Sequence, residues 1–176
     1  MHNQGAVTPE KPLTDQPALD PILYRNGMAR YAGHVQVVTT ALAGVERGVT
    51  VTAACSVSDA PPTVLVCLNN GNANNAIFEK AGVFALNALG DRHQALAAAF
   101  AGLNGLPVKD RFALGRWRTL VTGAPVLDDA VVSFDCELAE VKQMSTHSIM
   151  FGRVKAVHFG PDAPSLIYCD RAFRTV

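Results

Sequence analysis

The chemistry this chain offers sits in hydroxyl, amide and imidazole side chains at the ends of apolar runs. The first group is Thr50, Thr52, Ser56 and Ser58, within Gly48-Val49-Thr50-Val51-Thr52-Ala53-Ala54-Cys55-Ser56-Val57-Ser58. Hydroxyls and free backbone N–H groups at a bend hold a phosphate or the edge of a heterocycle without a full positive charge. The same pattern also describes a strand with one face in water. The second group is Asn69-Asn70-Gly71-Asn72-Ala73-Asn74-Asn75, ahead of a short helical stretch. Backbone donors at a helix start suit an anion, and the plainer alternative is a turn with an Asn cap. The third is Ser145-Thr146-His147-Ser148, an imidazole at the entry to a strand. The fourth, Tyr168-Cys169-Asp170-Arg171-Ala172-Phe173, sets a cation between aromatics; it reads equally as a last strand with an exposed tail.

Other chemistries lack their motifs. There is no G-x-G-x-x-G or G-x-x-x-x-G-K-[ST] for a dinucleotide or phosphate loop, and no G-x-S-x-G or H-E-x-x-H. The five histidines and four cysteines have no metal-ligand spacing, so no metal is expected. The cysteines read as reduced thiols packed in or near the core. Fifteen basic and fifteen acidic residues cancel, which argues against nucleic acid or an anionic membrane as partner. Neither a signal-peptide pattern nor an apolar run long enough to span a bilayer is present, and a cytoplasmic protein is expected.

The elements that must position these groups are mostly strands. Residues 1–20 are polar and dotted with proline, which predicts a flexible tail, followed by one domain over 21–176. Asp20-Pro21 opens a short helix to Tyr31, weakened by Gly27. Strands are expected at Val35–Thr40, Val49–Ala53, Thr63–Leu68, Val83–Leu89, Val131–Val141, Ser148–Phe159 and Ser165–Cys169. Ala43-Gly44-Val45-Glu46 reads as a turn. Helices are expected at Ala73–Lys80, closed by Gly82, and after a cap at Asp91, with Leu96, Phe100 and Leu103 on one face. In 131–141, Val132, Phe134, Cys136 and Leu138 alternate with Ser133, Asp135 and Glu137, the period of a strand with one wet face. Short turns rather than helical crossovers join the strands. The fold class is therefore mainly β, an antiparallel closed or partly closed barrel with a few short helices.

In order and spacing, these segments resemble the flavin reductase family of the FMN-binding split-barrel fold. The likeness is strongest to reductase components of two-component monooxygenases of the 4-hydroxyphenylacetate type. It spans about Met28 to Phe173. It rests on Val35–Thr40, Val51–Ser58 with Pro61-Pro62, Val66-Cys67-Leu68-Asn69, Phe84–Leu89, Phe100-Ala101-Gly102, Asp110-Arg111-Phe112, Thr146-His147 and Leu166-Ile167-Tyr168 with Arg171-Ala172-Phe173. The resemblance implies an antiparallel split β-barrel and a homodimer with flavin near the subunit interface. It implies FMN or FAD as flavin, NADH or NADPH as reductant, and a flavin-dependent oxygenase that receives the reduced flavin. Carried over by position, flavin contacts are Thr50, Val51, Thr52, Ala53, Ser56, Ser58, Asn69, Asn72, Asn75, Arg111, Arg171 and Phe173, and His147 places the nicotinamide. Ser145 stands where the family usually has Gly, and Asn72 where a phosphate-contacting Ser is common. NADH is favoured, because no compact Arg/Lys cluster awaits a 2′-phosphate. The alternatives are a flavin-binding or redox-sensing module without turnover, and a pyridoxamine-phosphate-oxidase-like enzyme on the same fold.

Overall fold

A computed structural model describes residues 18–176. Most of the expected flexible tail therefore lies outside the described residues; its last three residues, 18–20, are exposed. The first helix, α1 (Pro21–Ala29), forms as its sequence predicts: Asp20 Oδ1 accepts the Ile22 N–H at 2.8 Å and proline sits in the first turn. None of its residues is buried.

The strands that follow are β1 (Gly33–His34), β2 (Gln36–Leu42), β3 (Val45–Val51), β4 (Ala54–Asp59), β5 (Pro62–Asn69) and β6 (Val83–Ala88). Later come β7 (Trp117–Arg118), β8 (Val126–Leu127), β9 (Val132–Gln143), β10 (His147–Phe159), β11 (Leu166–Cys169) and β12 (Ala172–Thr175). Seven of them form one antiparallel sheet in the order β3-β2-β6-β9-β10-β5-β4. Its two outer strands, β3 and β4, are consecutive in the chain and joined only by Thr52-Ala53. So short a join forces the sheet to curl until its edges meet. The edges do not pair with each other; at the join the Cys67 N–H donates to Ala53 O at 2.9 Å, which extends the β4–β5 ladder by one residue. This is a split barrel. Its interior is filled by Val38, Val66, Leu68, Phe78, Phe84 and Met150, each almost wholly buried. Burial of such side chains contributes about 1.5–3 kcal/mol apiece.

A second core lies outside the barrel. Here α3 (Gln94–Phe100), with α4 (Val108–Arg111) after it, packs Leu96 and Phe100 against Val35, Val37, Leu127 and Leu166. Phe100, Phe112 and Trp117 meet with centroids 5.0–5.9 Å apart, two of the three pairs edge to face. Phe100 needs Gly48 beneath it: a Cβ there would lie 2.4 Å from the ring. The fourth helix, α2 (Ala76–Ala81), follows a 3-10 turn at Ala73–Asn75 and ends at left-handed Gly82 (φ 67°).

Several expectations need correction. Val45 and Glu46 belong to β3, and the turn is Ala43-Gly44 alone. Asp91 does not cap the helix: Gly90 occupies that position and Asp91 begins a 3-10 turn. Leu103 is 73% exposed rather than facing the core with Leu96. The tail after Cys169 forms β12, paired with β11. Cys55 is exposed, whereas Cys136 is buried and Cys67 and Cys169 are half-buried. The wet face expected of β9 is covered, because residues 117–127 fold over it. Ser133 and Asp135 are fully buried there. The Asp135 carboxylate accepts the Val121 and Thr122 N–H groups, each at 2.8 Å, and the Thr122 hydroxyl. Beside it, Asn87 on β6 donates to Val37 O and Thr39 Oγ1, and its Oδ1 accepts from Ser133 Oγ and the Leu127 N–H. The Thr39 hydroxyl reaches Pro125 O. One polar row thus stitches β2, β6 and β9 to the covering segment.

Candidate active site

The β3–β4 strand break sets the geometry. Thr50 lies near the end of β3 and Thr52 just past it in the join to β4, two residues and about 7 Å apart. Thr52 and Ala53 line a groove of about 610 Å³ between the barrel and α1, with Gly33, Tyr31, Tyr168 and Arg171 as further walls. Arg171 donates to Asn26 Oδ1 at 2.7 Å, which fixes its guanidinium against α1. Thr50 lines a second cavity of about 450 Å³ with Arg47, Asn72, Asn74, Phe100 and Arg111. Along one strand the protein therefore offers a groove walled by two tyrosines, then a chamber carrying two cations.

The Asn loop forms a wall of this chamber, and one amide group each of Asn69, Asn72 and Asn75 braces the loop itself. Asn69 Oδ1 accepts the Gly71 N–H at 2.7 Å, Asn72 Oδ1 accepts the Asn74 N–H at 3.1 Å, and Asn75 Nδ2 donates to Asn69 O at 3.0 Å. With α2 only six residues long, the expected helix-start anion site reduces to a shaped loop. The chamber's charge comes from arginine. Arg111 donates from Nε to Leu106 O at 3.0 Å, so its side chain is pinned. Arg47, absent from the expected site, is 5% exposed; it donates one bond, Nη2 to Asn75 Oδ1 at 3.3 Å, and its Nε has no partner. Burial, and then the charge of Arg111, push its pKa below the usual arginine range. It occupies the same strand face as Val49 and Val51, which pack into the barrel interior. A charged residue in step with inward-facing valines is a signal the sequence carried.

The remaining expected residues divide. The Thr50 hydroxyl donates to Ala97 O at 2.7 Å and so also anchors α3. Val51 points into the core. Ser56 and Ser58 line a different cavity of about 440 Å³ at the barrel mouth, with His34, Gln36 and Phe134. Phe173 packs on the second core, its ring 5.4 Å from Tyr168. His147 begins β10, exposed, opposite Asn69 on β5, with Nδ1 2.9 Å from Thr146 Oγ1. Since Cys67, two residues before Asn69, bonds to Ala53, the His147 backbone stands two strand spacings across and two residues along from the Thr52-Ala53 join, roughly 12 Å.

Residues 28–176 match the flavin reductase like domain. The chain belongs to the flavin reductase family. It is similar to the FMN reductase (NADH) RutF of Variovorax paradoxus (strain S110), 41% identical over 176 residues, covering 100% of this chain and 97% of that one. The FMN reductase (NADH) RutF 1 of Methylorubrum extorquens (strain PA1) is also 41% identical, over 90% of this chain and 78% of its own. Among solved structures, the flavin reductase component BorF of a bacterial two-component tryptophan halogenase superposes with a TM-score of 0.81 at 27% identity, over 89% of this chain and 98% of that one. The flavin reductase PheA2 gives a TM-score of 0.81, also at 27% identity, over 90% and 99%. A flavin reductase needs no strong acid or base of its own, only surfaces that hold two planar rings in contact. Among the described residues no cluster of three metal-ligating side chains occurs, and no helix is long and apolar enough to cross a membrane.

Proposed function

We propose that this protein is an NADH-dependent reductase of FMN that releases reduced flavin to a flavin-dependent oxygenase. The observation that carries the reading is the full-length similarity, at 41% identity, to proteins named FMN reductase (NADH). An arginine chamber beside a ring-sized groove supports it. The residues present fit FMN: the orphaned Arg47 Nε and the pinned Arg111 face an anion's place, and Thr52, Ala53 and Tyr168 line a groove for a flat ring.

When both are bound, the nicotinamide and flavin supply the hydride chemistry. The chain's own residues bind and orient. The Thr52-Ala53 join offers backbone groups to the ring edge, Arg171 bounds the groove, Asn72 and Arg111 hold the tail, and His147 holds the nicotinamide from the neighbouring strands. FAD shares the ring and can enter the same groove; the similarity to proteins named FMN reductase favours FMN. A homodimer completes the reading: α1 shows Ile22, Leu23, Tyr24 and Met28 to solvent, each 47–61% exposed, beside the ring groove. Such an apolar stripe is typical of a surface covered by a partner.

Mixing protein, NADH and catalytic FMN while following the nicotinamide absorbance tests the function. Flavin-dependent NADH oxidation is expected, faster with NADH than with NADPH. Flavin binding without turnover would select a sensor instead, and oxidation of a phosphorylated pyridoxine would select the oxidase. Light scattering should give twice the 18.7 kDa chain mass; a monomer reducing flavin at full rate would refute a dimer-built site.

A further inference from the structure

We propose that Arg47, backed by Arg111, is the residue that reads the flavin's phosphate and makes the protein discriminate FMN from riboflavin. The inference rests on the flavin reading above and names a specificity determinant within that site. Arg47 is a buried guanidinium with no counter-ion among the described residues. Among the described residues no carboxylate lies within ion-pair distance of it, and the chamber it lines with Thr50, Asn72, Asn74 and Arg111 contains no acidic side chain. The charge that shares its chamber is another cation, Arg111. Withdrawing a charge from water is unfavourable unless an opposite charge replaces the water. Two like charges in one chamber add to that cost. An arrangement of this kind becomes favourable when an anion enters.

The anion's chemistry follows from the donors. A guanidinium presents a planar fork that matches phosphate oxygens in bidentate fashion. Asn75 Oδ1 holds one end of the Arg47 fork at 3.3 Å, and Leu106 O holds Arg111 at 3.0 Å. Both are thus oriented before a ligand arrives. A phosphomonoester, with a charge of about −1.5 to −2 at neutral pH, balances the pair. Phosphate also occurs in the nicotinamide dinucleotide. The geometry points to the flavin, because Thr50 in the chamber and Thr52 in the ring groove are only two residues apart in the chain.

The test uses the full chain with Arg47→Met, Arg47→Lys and Arg111→Met. Inorganic phosphate is the first probe, read by thermal denaturation. Wild type should be stabilised as phosphate is raised, and Arg47→Met should lose the response. Flavin binding, read by fluorescence quenching, is the second. Wild type should bind FMN about ten- to a hundred-fold more tightly than riboflavin, the worth of one or two charge-assisted bonds. Arg47→Met should bring the two flavins level while leaving riboflavin affinity and the KM for NADH unchanged, and Arg47→Lys should restore part of the difference. Equal affinity of wild type for FMN and riboflavin would overturn the proposal, even if every variant misfolds. So would equal losses for both flavins in Arg47→Met, or a loss confined to NADH. A wild type that is stabilised by phosphate yet reduces no flavin would instead remove the flavin reading and leave the anion site standing.

Discussion

His147 and His93 look alike in the sequence and differ entirely in the fold. His147 is exposed at the start of β10, and its Nδ1 lies beside Thr146 Oγ1, leaving Nε2 for a ligand. If it holds the nicotinamide, His147→Ala should lower kcat/KM for NADH by about 1–3 kcal/mol, roughly ten- to a hundred-fold, with flavin affinity unchanged. Steady-state kinetics and flavin titration check this against Lys155→Ala, an exposed control on the same strand. His93 reads as a surface residue between Arg92 and Gln94, yet it is 5% exposed. Its Nδ1 accepts the Gly90 N–H at 3.1 Å, and Nε2 lies 3.2 Å from Asp129 Oδ1. His93→Ala strands that N–H, so it should lower stability by about 1–3 kcal/mol and leave the NADH dependence of the folded protein intact. A melting curve beside the same kinetics separates the two histidines. Neighbours in the chain could not reveal His93's burial, because Asp129 arrives from far along the sequence. Arg47 was hidden differently. Its alternation with Val49 and Val51 was present, but a charged side chain does not announce an inward position.

Strands and helices were legible where one face meets the core and the other meets water. Asp20-Pro21 opens α1, Gly82 closes α2, and β5, β6 and β10 fall where their apolar residues lie. The failures occur where a second layer intervenes. Ser133 and Asp135 have the spacing of a wet face, and only the fold of residues 117–127 makes them buried. Glycines mark the same contrast between crowded and open elements. On β10 a Cβ at Gly152 would stand 2.3 Å from Phe84 and 2.9 Å from Cys136, beside a break in register between Phe151 and Gly152. Gly152→Ala should cost about 1–3 kcal/mol by overpacking. Gly27, in the middle of α1, meets nothing within 4 Å. Gly27→Ala should instead stabilise by about 0.4–1 kcal/mol, by stiffening the unfolded chain. Opposite shifts in melting temperature are the expected result, and like-signed shifts would contradict the packing described.

For the molecule as a whole, the cysteines report on opening. Burial first, then the charge of Asp135, pushes the Cys136 thiol up to about 12, so it stays protonated and unreactive in the native state. A thiol reagent should label exposed Cys55 at once and Cys136 only as the protein unfolds. The same shift fixes a pH trend. The native state keeps a proton that the unfolded chain releases above about 8.5. The contribution of Cys136 to stability is therefore full below that pH and lost as pH rises toward 12. Urea midpoints across this window should fall more steeply for wild type than for Cys136→Ala; parallel lines would refute it. The row of Thr39, Asn87 and Ser133 has its own consequence for dynamics. Residues 117–127 cannot lift from the barrel without breaking the hydrogen bonds of Asn87 and Asp135 and exposing Ala124, Val126 and Leu127. That segment is therefore not a loop that breathes. Its amide protons, Leu127, Val121 and Thr122 above all, should exchange with deuterium as slowly as the strands beneath them, in one cooperative opening whose rate follows global unfolding.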